Sequence, residues 1–196
     1  MRRFLVTGHR AITTGDFRLD DIAGGAGRLD ILVRCINSAF FLSHALRDDV
    51  ELYLVLQGGE DAPKTLRLNG SEMRYLNPDE RSTASLIRNA LLKKLGDEEI
   101  RSSPGIYVSR QSYQDVLRKL SEISEIAYLK EDGEDIRGMD MPCDVSFVLG
   151  DDRDLTPEEE EALLQYNPRT VCLGPRSLHA DHCIILVQNE LDRSRC

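Results

Sequence analysis

The sequence of 196 residues has no apolar run near the ~18 residues that a membrane-spanning helix needs. Its start, Met1-Arg2-Arg3-Phe4-Leu5-Val6-Thr7, lacks the apolar stretch and small-residue cleavage site of a signal peptide. Both absences point to a cytoplasmic protein with no membrane partner. Five cysteines are present (Cys35, Cys143, Cys172, Cys183, Cys196), but no two form a CxxC pair, which argues against a structural zinc site. Their odd number and wide spacing argue against a disulfide framework, and their plainest role is as small buried apolar side chains. There is no GxxxxGK[ST] and hence no P-loop, no HExxH among His9, His44, His179 and His182, and no GxSxG to mark a nucleophilic serine. Isolated histidines of this kind are usually structural. Gly24-Gly25-Ala26-Gly27 is not a dinucleotide fingerprint either: Gly25-Ala26-Gly27-Arg28-Leu29-Asp30 lacks the third glycine and follows a long loop rather than a strand. No internal repeat, low-complexity segment or linker divides the chain, so a single domain spanning residues 1–196 is expected, with no metal site.

What is present is uneven in charge. The net charge of −9 divides into +2 over residues 1–120 and −11 over residues 121–196. A polyanion should therefore meet the N-terminal half, near Arg2, Arg3, Arg10, Arg28 and Arg34. The acidic runs Glu131-Asp132-Gly133-Glu134-Asp135 and Asp151 to Glu161 read as solvated surface.

Patterning gives strands at Phe4–Thr7, Glu51–Leu56, Lys64–Leu68, Ile106–Val108, Glu125–Leu129, Ser146–Gly150 and Thr170–Gly174. Helical spacing runs from Leu29 to Leu46, from a Ser82 or Thr83 cap to Leu95, from Ser112 through Leu120, and from Cys183 to Leu191. Thr156-Pro157-Glu158-Glu159 opens a further helix, with a threonine cap, proline at the first position and acids on the positive end of the helix dipole. Strands alternating with helices predict an α/β fold with a mostly parallel sheet and helices on both faces.

Two strand ends carry the chemistry. Leu149-Gly150-Asp151-Asp152 and Leu173-Gly174-Pro175-Arg176-Ser177-Leu178 both set glycine at the carboxyl edge of a strand, where open α/β sheets bind their ligands. Backbone groups can approach a ligand closely there, which suits a ligand read by backbone atoms, such as adenine. Two ordinary strand–turn–helix connections would give the same spacing.

The run from Leu173 to Ile185, Leu-Gly-Pro-Arg-Ser-Leu-His-Ala-Asp-His-Cys-Ile-Ile, with Phe147-Val148-Leu149-Gly150-Asp151 before it, resembles the C-terminal knot of SPOUT-class RNA methyltransferases. More narrowly, the chain resembles the archaeal tRNA pseudouridine-54 N1-methyltransferases. Gly27-Arg28-Leu29-Asp30-Ile31-Leu32-Val33-Arg34-Cys35, Leu42-Ser43-His44-Ala45-Leu46-Arg47 and Tyr75-Leu76-Asn77-Pro78-Asp79-Glu80-Arg81-Ser82 match that family's N-terminal half, so nearly the whole chain is covered.

The resemblance implies a trefoil knot, a homodimer packed through it, and S-adenosylmethionine held by Leu129, Gly150, the loop of Leu173, Gly174, Pro175, Arg176, Ser177 and Leu178, and Cys183. It implies tRNA as substrate, and no metal is required because the sulfonium is already an activated methyl donor. For the acceptor, Asp79 is the candidate base or base-orienting group, with Arg10 and Arg81 holding phosphate or base oxygen; the plainer reading of Asp79 is a turn that caps the following helix. His179 is a weaker candidate for touching substrate. Two other readings stay open at this point: N1-methylation of an rRNA pseudouridine by a related SPOUT enzyme, and a knotted RNA-binding dimer that assists assembly without methylating.

Overall fold

The computed structural model describes residues 1–194. Eight strands form one sheet: β1 Arg2–Ile12, β2 Val50–Gly58, β3 Lys64–Asn69, β4 Ile100–Ser103, β5 Ile106–Ser109, β6 Glu125–Asp135, β7 Val145–Gly150 and β8 Arg169–Cys172. Five α-helices accompany them: α1 Leu29–Phe40, α2 Glu80–Leu91, α3 Tyr113–Ser121, α4 Pro157–Leu164 and α5 Ala180–Ser194. The strand order is β4-β5-β3-β2-β1-β7-β6-β8. The half from β2 through β8 is parallel throughout, while β3, β5 and β4 extend the other edge antiparallel.

Alternation along β1 sends successive side chains to opposite faces. Phe4 and Val6 pack with Leu52, Leu54, Phe147 and Leu149 under α1, α2 and α5. Leu5 joins Tyr53, Val55, Tyr128 and Val148 under α3 and α4. Helices thus cover both faces, as the alternation of elements predicts.

Several sequence expectations shift. The helix from Leu29 stops at Phe40 rather than Leu46. Phe41 is extended, and Leu42 N–H bonds the Ala45 carbonyl in a tight turn that brings Arg47 onto Asp192. α2 ends at Leu91 rather than Leu95, leaving Leu92 exposed. β4 escapes pattern reading because Ile-Arg-Ser-Ser has little apolar alternation. β6 runs on through the acidic segment to Asp135 and pairs a second time with β8 beyond an irregularity between Leu129 and Glu134. Of the described cysteines only Cys35 is fully buried; Cys143 is exposed, and Cys196 lies outside the described residues.

The expected basic face also changes. Arg2 and Arg3 are buried at the start of β1, the sheet end opposite Arg10. Arg2 pairs with Asp192 and Asp49 and donates to Gln188; Arg3 pairs with Glu51 and Asp144. Their burial, more than their pairing, keeps these two guanidiniums from presenting a surface to a polyanion.

Candidate active site

β6, β7 and β8 run in parallel, so their carboxyl ends share one edge of the sheet. A cleft of about 480 Å³ opens there, within the ~300–1,000 Å³ usual for small-molecule sites. Its floor is Tyr128 to Glu131 from β6 and Leu149 and Gly150 from β7. One wall is the loop Asp151 to Leu155, the other Leu173 to Ala180, and Cys183 of α5 closes the end.

Of the nine residues implicated at the strand ends, eight line this cleft: Leu129, Gly150, Leu173, Gly174, Arg176, Ser177, Leu178 and Cys183. Pro175 sits in the same loop, exposed, without facing the cavity. Gly174 has φ +143°, a backbone conformation that L side chains rarely adopt, with open space where its side chain would be. Ser177 Oγ donates to Glu131, tying the far wall to the end of β6 and holding that carboxyl below its ordinary range. Burial raises the Cys183 thiol to about 11, so it stays neutral and serves as wall rather than nucleophile.

The cleft is rich in carboxylates: Glu131, Asp151, Asp152, Asp154 and Glu160 line it. Glu160 is neutralised by Lys130 at 2.6 Å. Arg153 and Arg176 are exposed and form no ion pair among the described residues. Among the described residues no group of three His, Cys, Asp or Glu is arranged to hold a metal ion, and no helix is long and apolar enough to cross a membrane.

Arg10, Arg28 and Arg34 are about one-third to two-fifths exposed and are threaded by aspartates along the cleft's rim. Arg10 pairs with Asp152; Arg28 reaches Asp152 at 3.5 Å and Asp30 at 3.0 Å; Arg34 reaches Asp30 at 2.9 Å and Asp181 at 3.8 Å. Burial would raise the Asp30 carboxyl, but its bonds to Arg28 and Arg34 hold it below the usual range. The backbone of Arg10 is wedged between two loops: a Cβ on Gly27 would lie 1.8 Å from its carbonyl oxygen, and one on Gly58 2.2 Å.

Asp79 and Arg81 do not line the cleft. Asp79 is the N-cap of α2; its carboxylate accepts from Ser82 N–H at 2.8 Å and from the Ser82 hydroxyl, and that hydroxyl bond chiefly lowers its pKa. Arg81 is exposed on the helix's first turn. His179 lines the cleft and meets His182 edge to face at 5.6 Å.

Sequence reading misses His9, at the end of β1. Its Nδ1 lies 2.9 Å from Asp151 and its Nε2 2.9 Å from Glu159. The two carboxylate side chains are only 2% and 6% exposed, which corrects the reading of the Asp151–Glu161 run as solvated surface at these two positions, while Asp154, Glu158 and Glu161 are exposed as expected. The bond to Asp151, then that to Glu159, raises His9 to about 9. Burial opposes ionisation of both acids, yet their bonds to His9 hold each below its ordinary pKa. These partners lie 142 and 150 residues away in sequence, beyond any spacing motif.

The family model described as "Putative SAM-dependent RNA methyltransferase" matches residues 1–196. The chain is 48% identical to the tRNA (pseudouridine(54)-N(1))-methyltransferase of Methanococcoides burtonii, covering 99% of this chain and 97% of that one. It is 50% identical to the enzyme of the same name from Haloferax volcanii, covering 98% and 96%. Among solved structures, Nep1 of Archaeoglobus fulgidus bound to S-adenosylhomocysteine superposes with a TM-score of 0.62 at 16% identity, covering 99% of this chain and 97% of that one, which shows a shared fold.

Proposed function

This chain belongs to the family of SAM-dependent RNA methyltransferases, and from that premise we propose that it transfers a methyl group from S-adenosylmethionine to N1 of pseudouridine 54 in tRNA. The observation that carries the reading is near-50% identity, over the full chain, to proteins named for that reaction. The cleft agrees with it. Gly150 and Gly174 open backbone at two strand ends, Leu129, Leu173, Leu178 and Cys183 offer apolar surface to an adenine, and the carboxylates Glu131 and Asp154 complement a cation.

We assign cofactor binding to Leu129, Gly150, Leu173 to Leu178 and Cys183. Bound there, S-adenosylmethionine supplies a methyl group already activated on sulfonium. The chain's residues then have to orient the acceptor and keep water out; positioning of this kind supplies most of the acceleration in such transfers. Arg10, Arg28 and Arg34 at the rim, with Arg176 on the loop, are the proposed phosphate contacts. Asp79 is the proposed group for orienting the base or receiving its N1 proton, with Arg81 holding phosphate or base oxygen. The low pKa of Asp79 makes orientation its larger share of that work.

The finer features of the reading are a knotted C-terminal segment and a cytoplasmic homodimer. In support of the dimer, Leu178 and Ile185 are 41% and 50% exposed beside the cleft, an apolar pair of the kind that oligomers cover.

The deciding experiment uses two tRNA transcripts differing only at position 54. Uridine's N1 carries the sugar and cannot accept a methyl group, whereas pseudouridine's N1 carries a proton. Labelled methyl should enter the pseudouridine transcript alone, after EDTA treatment as before it. Incorporation into the uridine form, or into neither, rejects the assignment; strong preference for an rRNA stem-loop would redirect it.

A further inference from the structure

We propose that His9 is a positioning residue that clamps the Asp151–Leu155 wall of the cleft between the end of β1 and α4. The proposal rests on the reading of that cleft as the cofactor site.

The wall leaves β7 at Gly150 and must be held against the sheet to give the cleft a fixed width. Asp151 is the anchor. One of its oxygens accepts from the His9 backbone N–H at 3.0 Å; the other lies 2.9 Å from His9 Nδ1 and accepts from Arg153 N–H at 3.2 Å. On the far side of the ring, Glu159 faces His9 Nε2 at 2.9 Å, accepts from Thr156 N–H at 2.9 Å and from Gln57 Nε2 at 2.8 Å. The imidazole thus joins β1, the cleft wall and the first turn of α4, and Gln57 of β2 is tied in through Glu159.

Only the doubly protonated ring donates from both nitrogens. A neutral imidazole would leave one carboxylate, almost wholly buried, facing an acceptor, and burying an unpaired charge is costly. The clamp is thus closed in the imidazolium form. The surrounding groups are consistent with this. Asp151 belongs to the wall and Glu159 to α4, Gln57 of β2 is neutral, and Tyr113 of α3 has a hydroxyl raised by burial and by Glu159 so that it carries no charge. Nearby Arg10 and Arg28 pair with Asp152 and Asp30 rather than with Asp151 or Glu159.

The other loop bonds survive loss of the ring: Asp151 keeps two backbone N–H donors, and Glu159 keeps Thr156 and Gln57. His9→Asn should therefore fold, with the wall freed from α4. Removing one carboxylate by Glu159→Gln should instead lower the pH at which the clamp opens.

The test measures S-adenosylhomocysteine binding by calorimetry from pH 7 to 10 for wild type, His9→Asn and Glu159→Gln, with amide hydrogen exchange of ligand-free protein. At pH 7 His9→Asn should bind about tenfold more weakly, the size of one charge-assisted tie. The wild-type advantage should vanish as pH rises through about 9, His9→Asn reporting the ligand's own titration. In Glu159→Gln that advantage should vanish at lower pH. Amides of residues 151–155 should exchange faster in His9→Asn while the β1–β2 ladder is unchanged. Equal binding and equal wall exchange in wild type and His9→Asn overturn the clamp, as does faster exchange spread across the whole sheet. Should wild type fail to bind at any pH, the cofactor reading of the cleft fails, and exchange alone still decides the clamp.

Discussion

A Cβ on Gly150 would lie 1.9 Å from the carbonyl oxygen of Arg153. The chain folds back on itself within three residues at the point where β7 becomes the cleft wall, and only a residue without a side chain allows that approach. Gly150→Ala must push the wall outward. We expect a loss on the order of 2 kcal/mol, or about 4–8 °C in Tm, together with weaker cofactor binding. A Tm unchanged by Gly150→Ala would show that the turn yields freely.

Gly174 fails differently. Nothing lies within 4 Å of its missing side chain, but φ is +143°. Gly174→Val should cost about 1–3 kcal/mol in backbone strain and displace the loop Leu173 to Leu178. Cofactor affinity should fall tenfold or more while Tm drops by about 2–12 °C. Calorimetry beside a thermal melt separates the two, and a stability loss without an affinity loss would make this glycine purely structural.

Asp79 has a cap to preserve as well as a proposed role in transfer. Asparagine caps nearly as well as aspartate, whereas alanine costs about 1 kcal/mol. Asp79→Asn should therefore keep the wild-type Tm, slow single-turnover methyl transfer, and leave the cofactor dissociation constant within about twofold. Full transfer activity in a stable Asp79→Asn protein would reduce the residue to its cap.

On α5, Ile185 and Val187 are two residues apart and face opposite environments. Ile185 is half exposed and Val187 fully buried. The wild type should scatter light as a dimer and Ile185→Asp as a folded monomer. Val187→Asp would bury a charge in the core and should fail to fold, although the apolar run Cys183 to Val187 suggests that either residue could serve the interface. A monomeric wild type rejects the dimer.

His9 gives stability a dependence on alkali. Its pKa is about 9 in the folded chain against an ordinary 6.5, so the folded state holds the proton more tightly. The stabilisation is complete below about pH 6.5 and is gone once pH has risen through about 9. With allowance for solvent screening at the cleft's edge it is on the order of 2 kcal/mol. Wild-type Tm should fall over that window, whereas the Tm of His9→Gln should stay nearly level. Parallel curves for the two would remove His9 from the alkaline response.

Much of the cleft was legible because its signals are local. Gly150 and Gly174 each follow an apolar strand directly, and Thr156-Pro157 announces α4 on its own. What stayed hidden depends on distance along the chain. His9 looks isolated until β1 and β7 lie side by side, and Asp151 and Glu159 look solvated until the same pairing turns them inward. Arg2 and Arg3 resemble a basic surface patch because the sequence does not reveal that Asp192, Asp49, Glu51 and Asp144 gather around the start of β1. The end of α1 was overrun for a related reason: Leu46 continues an apolar pattern, but as the partner of Phe41 in a bridge rather than as another turn of helix.

β1 lies between β2 and β7, with Arg2 paired to Val50 on one side and to Val145 on the other. For a chain emerging in order from the ribosome, this sets a long wait. β2 can dock soon after α1, but the second edge of β1 stays open until residue 145 and its successors appear. During that interval the apolar strand Phe4-Leu5-Val6 presents unpaired backbone of the kind that recruits other chains. Closure over so many residues is also slow. Refolding should therefore be most prone to aggregation before β7 has docked, and a peptide copying residues 145–150 should compete for the open edge only during that interval.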